Sequence, residues 1–175
     1  MNKLKQSQKL TLERPVEVHP SAFVDPRAEL AQGVVIGAGV VVGPEVQIGE
    51  NTQVGPNAVL EGRLKIGSSN KIFPGACLGL EPQDLKYKGA PTEVVIGDKN
   101  TIRECVTINR ATDEGEQTKI GDGSLLMAYT HIGHNCDIGN GVVISNSVQV
   151  AGHVVIDEGA VIGGCLGIHQ FVHIG

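Results

Sequence analysis

The chain has 175 residues, with 24 Gly, two Tyr, three Phe and no Trp, 41% hydrophobic side chains and a formal charge of −5. That apolar fraction excludes wholesale disorder and suits one domain with an aliphatic core, and the mildly acidic balance argues against nucleic-acid binding, which wants a basic surface. No apolar run approaches the roughly 18 residues of a membrane span, and Met1-Asn2-Lys3-Leu4-Lys5-Gln6 leads into polar residues instead of a signal-peptide core, so the chain reads as cytoplasmic.

Residues 1–17 mix Lys3, Lys5, Lys9 and Arg14 with Glu13 and Glu17, and read as an N-terminal extension or cap. A repeat begins at Val18. From Val18 to Ile174, 24 of the 27 positions divisible by six are Val, Ile or Leu; composition alone would place about eleven hydrophobic residues of any kind there. An even period keeps one face of an extended chain, whereas a helix would rotate the stripe around its surface. The stripe is mostly β-branched, as extended backbone prefers. Gly follows directly at twelve of the 24, and Pro26, Pro44, Pro56 and Pro74 stand two residues after, so each hexad is a short strand and a corner. The predicted fold is all-β: a parallel β-helix over 18–175 with 18-residue triangular coils. At about 4.8 Å per coil, 27 hexads give nine coils and a prism of roughly 40 Å, too narrow inside for aromatic rings.

Asp84, Ala90 and Glu114 break the stripe and mark excursion loops over 79–95 and 109–119. Such insertions leave the stack, often on a binding face; the first reads as part of such a face and the second as a solvated loop. Four cysteines, Cys77, Cys105, Cys136 and Cys165, lie far apart with no Cys-x-x-Cys pair and read as reduced thiols. The repeat reaches Ile174-Gly175 without the polar cap a solenoid needs, so the sequence reads as truncated at its C-terminus.

Counting by coil length puts His134, His153 and His169 near one corner on three successive coils, about 5 Å apart, with His131 slightly further round the coil of His134. Two chemistries suit them: imidazoles sharing a zinc ion, or one His as general base while others bind an anionic or hydroxyl-bearing substrate. Stacking along a corner spreads ligands and disfavours the metal. Lys86, Lys88, Arg103 and Arg110 offer positive charge to phosphates or an acidic partner. An ice-binding solenoid would need a regular outward ladder, which the sequence Gln47, Glu50, Asn51, Arg63, Lys65, Asn70 does not form.

The stripe, the loop Gln83-Asp84-Leu85-Lys86-Tyr87, the stretch Ile102 to Arg110, the segment His131-Ile132-Gly133-His134-Asn135-Cys136, then Ala151-Gly152-His153 and Ile168-His169-Gln170-Phe171 together resemble the bacterial UDP-N-acetylglucosamine O-acyltransferase family, over about residues 18–175. The resemblance implies a left-handed β-helix, against the usual right-handed crossover, assembled as a homotrimer, with further coils and a C-terminal helical domain absent from this sequence. It implies transfer of a 3-hydroxyacyl group from acyl carrier protein to the 3-hydroxyl of UDP-N-acetylglucosamine, the first step of lipid A biosynthesis, with no cofactor. By position, His134 matches the general base and Gly152 the backbone oxyanion donor. His131, His153, His169 and Gln170 match substrate contacts, and Asp84 and Lys86 match loop residues holding the sugar nucleotide. Asn135 stands where the family commonly has Asp; it accepts a hydrogen bond but supplies no charge. A His-Asn pair also fits the related UDP-3-O-acylglucosamine N-acyltransferases, and a zinc hydratase like the γ-class carbonic anhydrases is the metal-based alternative.

Overall fold

The structure, a computed structural model, describes residues 14–175. Residues 1–13, most of the expected extension or cap, lie outside the described residues. Among the described residues there are 24 strands, most of them two residues long, and each contains one of the 24 aliphatic stripe positions. Each strand pairs in parallel with the strands three before and three after it, the first three and last three pairing on one side only, which builds three eight-stranded sheets. The fold is an all-β, left-handed parallel β-helix.

The coil count differs from the sequence expectation. The 24 strands make eight coils, because the hexads at Asp84, Ala90 and Glu114 belong to the excursions and add no strand. The stack is therefore roughly 34 Å tall. Paired residues stand 18 apart where a coil is uninterrupted, as at Val18↔Ile36. The spacing grows to 30 at Ile72↔Ile102, where the first excursion intervenes, and to 24 at Ile102↔Leu126, where the second does.

Two inward stripes fill the prism. The first is the aliphatic one, fully buried at Leu60, Leu78, Ile108, Ile132 and Ile144. The second lies two residues earlier in each hexad and is mixed: Val34, Val40, Ala58 and Val148 share it with buried Thr52, Asn70, Asn100 and Ser124. A buried polar group is costly unless paired, and these pair along the axis. Thr52 Oγ1 accepts from the Asn70 N–H (3.1 Å), Asn70 Oδ1 from the Asn100 N–H (2.8 Å), Asn100 Oδ1 from the Ser124 N–H (2.7 Å) and Ser124 Oγ from the Val142 N–H (3.0 Å).

Corners turn through left-handed backbone, much of it at residues other than Gly: Asn51, Ser69, Lys99, Tyr129, Asn135, His153 and Phe171 all have φ near +60°. Such conformations cost on the order of 1 kcal/mol each. Their N–H groups are engaged by the coil below, as in Asn51 to Gln32 O and His153 to His134 O, both 3.0 Å.

Burial pushes the Cys136 thiol up to about 11, and burial followed by the neighbouring Cys105 raises Cys77; Cys105 and Cys165 are exposed. Timed thiol labelling should therefore modify Cys105 and Cys165 in the folded protein and reach Cys136 only on unfolding. Leu60→Ala, at a fully buried site, should cost about 2–5 kcal/mol in denaturant titrations, whereas exposed Glu50→Ala should stay within about 0.5 kcal/mol.

Candidate active site

Strands His131–Ile132, Gln149–Val150 and Gly167–Ile168 stack in register through Ile132↔Val150↔Ile168. The corner residues after them consequently form three columns: Gly133, Ala151, His169; then His134, Gly152, Gln170; then Asn135, His153, Phe171. The three histidines share a corner but not a column, standing second, third and first along it on successive coils, so they do not form the expected single stack of rings. A one-residue offset changes side-chain direction sharply where the chain turns. His134 is buried, and its ring centroid lies 5.1 Å from that of His153 in an edge-to-face contact; His153 stacks on Phe171 at 4.7 Å. His169 is exposed, with Nδ1 3.3 Å from the Gln170 carbonyl.

A cleft of about 280 Å³ opens at this corner, lined by Gln83, Asn109, His131, His134, Gly152 and Gln170 among others. Gly152 is required there by close approach: a Cβ would sit 2.4 Å from both Cε1 and Nε2 of His134. Among the described residues, the flanking Ala151 and His153 N–H groups bond to carbonyls of adjacent coils, while no carbonyl partner takes the Gly152 N–H. A fixed, unengaged donor beside an imidazole is what a developing oxyanion needs.

The proton on His134 can be assigned from its partners. Nδ1 lies 2.9 Å from Asn135 Oδ1 and 3.0 Å from Thr112 Oγ1. Asn135 Oδ1 also accepts the Thr112 N–H (3.1 Å), and Asn135 Nδ2 donates to Glu116 Oε2. Both assignments fix the amide orientation, and an amide oxygen only accepts. Nδ1 therefore carries the hydrogen and Nε2 keeps its lone pair.

That Nε2 lies 3.8 Å from Asp84 Oδ2. The carboxyl of Asp84 is held below the usual aspartate range chiefly by the Lys86 N–H (2.9 Å), with smaller contributions from the charges of His134 and Lys86 and from the Thr112 hydroxyl. Lys86 thus contributes its backbone, while its side chain is exposed. Arg110 anchors the loop that carries Asp84: it donates to Gly79 O (3.1 Å) and Tyr87 Oη (2.9 Å), pairs with Glu81 (3.3 Å) and covers the Tyr87 ring. Arg103 is bound to Glu104 by two hydrogen bonds and lies over Phe73. The charges of Arg103 and Arg110, expected to be free for phosphate, are thus largely committed within the chain. Among the described residues, no group of three or more His, Cys, Asp or Glu is arranged to hold a metal ion.

The model for bacterial transferase hexapeptides (six repeats) matches residues 117–152. A curated relative from Synechocystis sp., named acyl-[acyl-carrier-protein]–UDP-N-acetylglucosamine O-acyltransferase, is 62% identical over 117 residues, covering 67% of this chain and 42% of the relative. A relative of the same name from Verminephrobacter eiseniae is 58% identical over 160 residues, covering 90% of this chain and 61% of the relative. The structure of LpxA from Acinetobacter baumannii superimposes with a TM-score of 0.86 at 43% identity, over 89% of this chain and 61% of that one. The chain belongs to the UDP-N-acetylglucosamine O-acyltransferase family. It spans about three fifths or less of the length of the curated relatives it matches.

Several residues of this O-acyltransferase-family site escape the sequence reading. The second excursion is not merely a solvated loop, since Thr112 and Glu116 contact His134 and Asn135. Thr107 Oγ1 lies 2.7 Å from His131 Nδ1; this pair would have emerged by counting strand partners after subtracting the excursion. Asn109, buried in the cleft lining, leaves Oδ1 without a partner and so offers an acceptor to a ligand.

Burial, then the charge of His134, lowers the pKa of His131 below its ordinary 6.5. The unfolded chain therefore binds this proton at higher pH than the folded one, so the stability contribution is intact above about 6.5 and is lost as pH falls through the folded value. NMR titration should find the His131 midpoint below 6.5, and His131→Gln should flatten the acid-side loss of stability.

Proposed function

We propose that this chain carries the catalytic β-helix of an acyltransferase moving a 3-hydroxyacyl group from acyl carrier protein to the 3-hydroxyl of UDP-N-acetylglucosamine, opening lipid A biosynthesis in the cytoplasm. The observation that carries the reading is the bare Nε2 of His134, 3.8 Å from the Asp84 carboxylate and close against Gly152, whose N–H has no carbonyl partner among the described residues. The names of the relatives support the substrates.

In this mechanism His134 Nε2 takes the proton of the sugar hydroxyl as its oxygen attacks the thioester carbon. An imidazole is the side chain suited to that step near neutral pH. The Gly152 N–H donates to the tetrahedral oxyanion. Collapse breaks the carbon–sulfur bond, and the departing thiolate of acyl carrier protein recovers the proton from His134. Thioesters are already activated, so no cofactor is called for. Asp84 accepts a hydrogen bond from the sugar and Lys86 offers charge to the diphosphate. His131, His153, His169 and Gln170 contact substrate, and Asn135 orients the base.

The reading includes a homotrimer. Val161 and Phe171 are 73% and 71% exposed and Tyr129 is 62% exposed, all on coils that carry the cleft or border it; apolar side chains so placed suit a subunit contact. Among the described residues no helix is long and apolar enough to cross a membrane.

His134→Ala should lower kcat/KM about 10²–10⁴-fold in an assay of acyl transfer from acyl carrier protein, and wild-type rates would overturn the assignment of the base. Gly152→Ala should cost about 10²-fold by displacing His134. Offered N-acetylated and free-amine acceptors side by side, the protein should acylate the former. Preference for the amine would favour N-acyl transfer instead.

A further inference from the structure

We infer that Glu116 is a positioning residue for the base, acting through the side-chain amide of Asn135 to fix which nitrogen of His134 carries the proton. This rests on His134 being the base of the proposed transfer. Asn135 lies in the left-handed region, φ 61°, with its N–H given to Thr118 Oγ1 (2.9 Å), so its side chain projects from the corner between two elements. On one side is the imidazole. On the other is the carboxylate of Glu116.

An Asn amide is nearly symmetric in shape, and at the position next to His134 it has two orientations of opposite chemical meaning. With Oδ1 toward the ring, Nδ1 must be the donor and Nε2 the base. With Nδ2 toward the ring, Nδ1 must accept, the proton moves to Nε2, and the nitrogen that faces Asp84 and the cleft has no lone pair to offer. A carboxylate oxygen accepts only. Glu116 therefore forces Nδ2 toward itself and Oδ1 toward His134, and the Thr112 N–H, donating to the same Oδ1, adds a second constraint of the same sense. An aspartate at position 135 would need no such help, because both its oxygens accept. Asn135 does, and the second excursion supplies it.

Glu116 is itself placed by a tight turn, its N–H donating to Asp113 O (3.0 Å) and its Oε2 receiving the Asp113 N–H (3.4 Å). The strand that follows, Gln117–Ile120, pairs with Asp137–Ile138, which fixes the height of Glu116 against Asn135. The carboxylate is exposed, so the effect comes from hydrogen-bond polarity more than from buried charge.

The direct readout is the tautomer of His134, seen by long-range 1H–15N NMR on the substrate-free protein. The unmodified chain should show the Nδ1–H form alone. Glu116→Ala should add the Nε2–H form and lower kcat roughly tenfold with KM little changed. Glu116→Gln, which retains an oxygen to accept from Asn135, should restore the Nδ1–H form. In an Asn135→Ala background, Glu116→Ala should have no further effect on either readout. A single Nδ1–H tautomer with unchanged kcat in Glu116→Ala would overturn the inference, as would failure of Glu116→Gln to restore the tautomer in a folded protein. A tautomer shift in a protein without any acyl transfer would leave the role of Glu116 standing and overturn the proposed reaction instead.

Discussion

Everything in this molecule depends on hydrogen bonding between coils. A strand of two residues has no stability of its own, and its carbonyls and N–H groups are satisfied only by the strands above and below. That requirement fixes each residue over its counterpart one coil away and lets the aliphatic stripe close into a continuous core. Where a polar residue enters the second stripe, it obeys the same rule with its side chain, as Asn70 and Asn100 do by accepting an N–H from the next coil.

The site is a by-product of that registration at one corner. Gly152 lies over His134 because Val150 pairs with Ile132, and the absence of a side chain at 152 is what leaves room for the imidazole. His153 is turned outward by its left-handed backbone and fills the space between His134 and Phe171. Precision of this kind on a corner would be unusual for a free loop. Here the corner inherits the rigidity of the sheets on either side.

Most of the solenoid was legible because one physical signal, an aliphatic residue at an even period, coincides with each strand. Three things were hidden. Asp84, Ala90 and Glu114, although placed in excursions, still entered the count of nine coils, whereas their hexads add no strand. The second inward stripe was masked by Thr52, Asn70, Asn100 and Ser124, whose polarity reads as surface unless their axial partners are known. Thr112 and Glu116 obey no period, since they meet His134 and Asn135 across an excursion. The histidines stood out by spacing, and Gly152 and Asp84 only by the family resemblance, although spacing alone could not show that adjacent corner residues point in different directions.

The stretch Asn109-Arg110-Ala111-Thr112 performs four tasks in succession. Asn109 lines the cleft, Arg110 holds the loop bearing Asp84, Ala111 is buried and Thr112 braces His134. Because these contacts alternate along one short backbone segment, adding or removing a single residue there would exchange all the assignments at once. Exposed Gly89 in the first excursion, with open space where a side chain would stand, carries no such sequence of duties. Length variation among descendants of this chain should accordingly be channelled away from 109–112, making that segment an inelastic joint beneath the loop that carries Asp84.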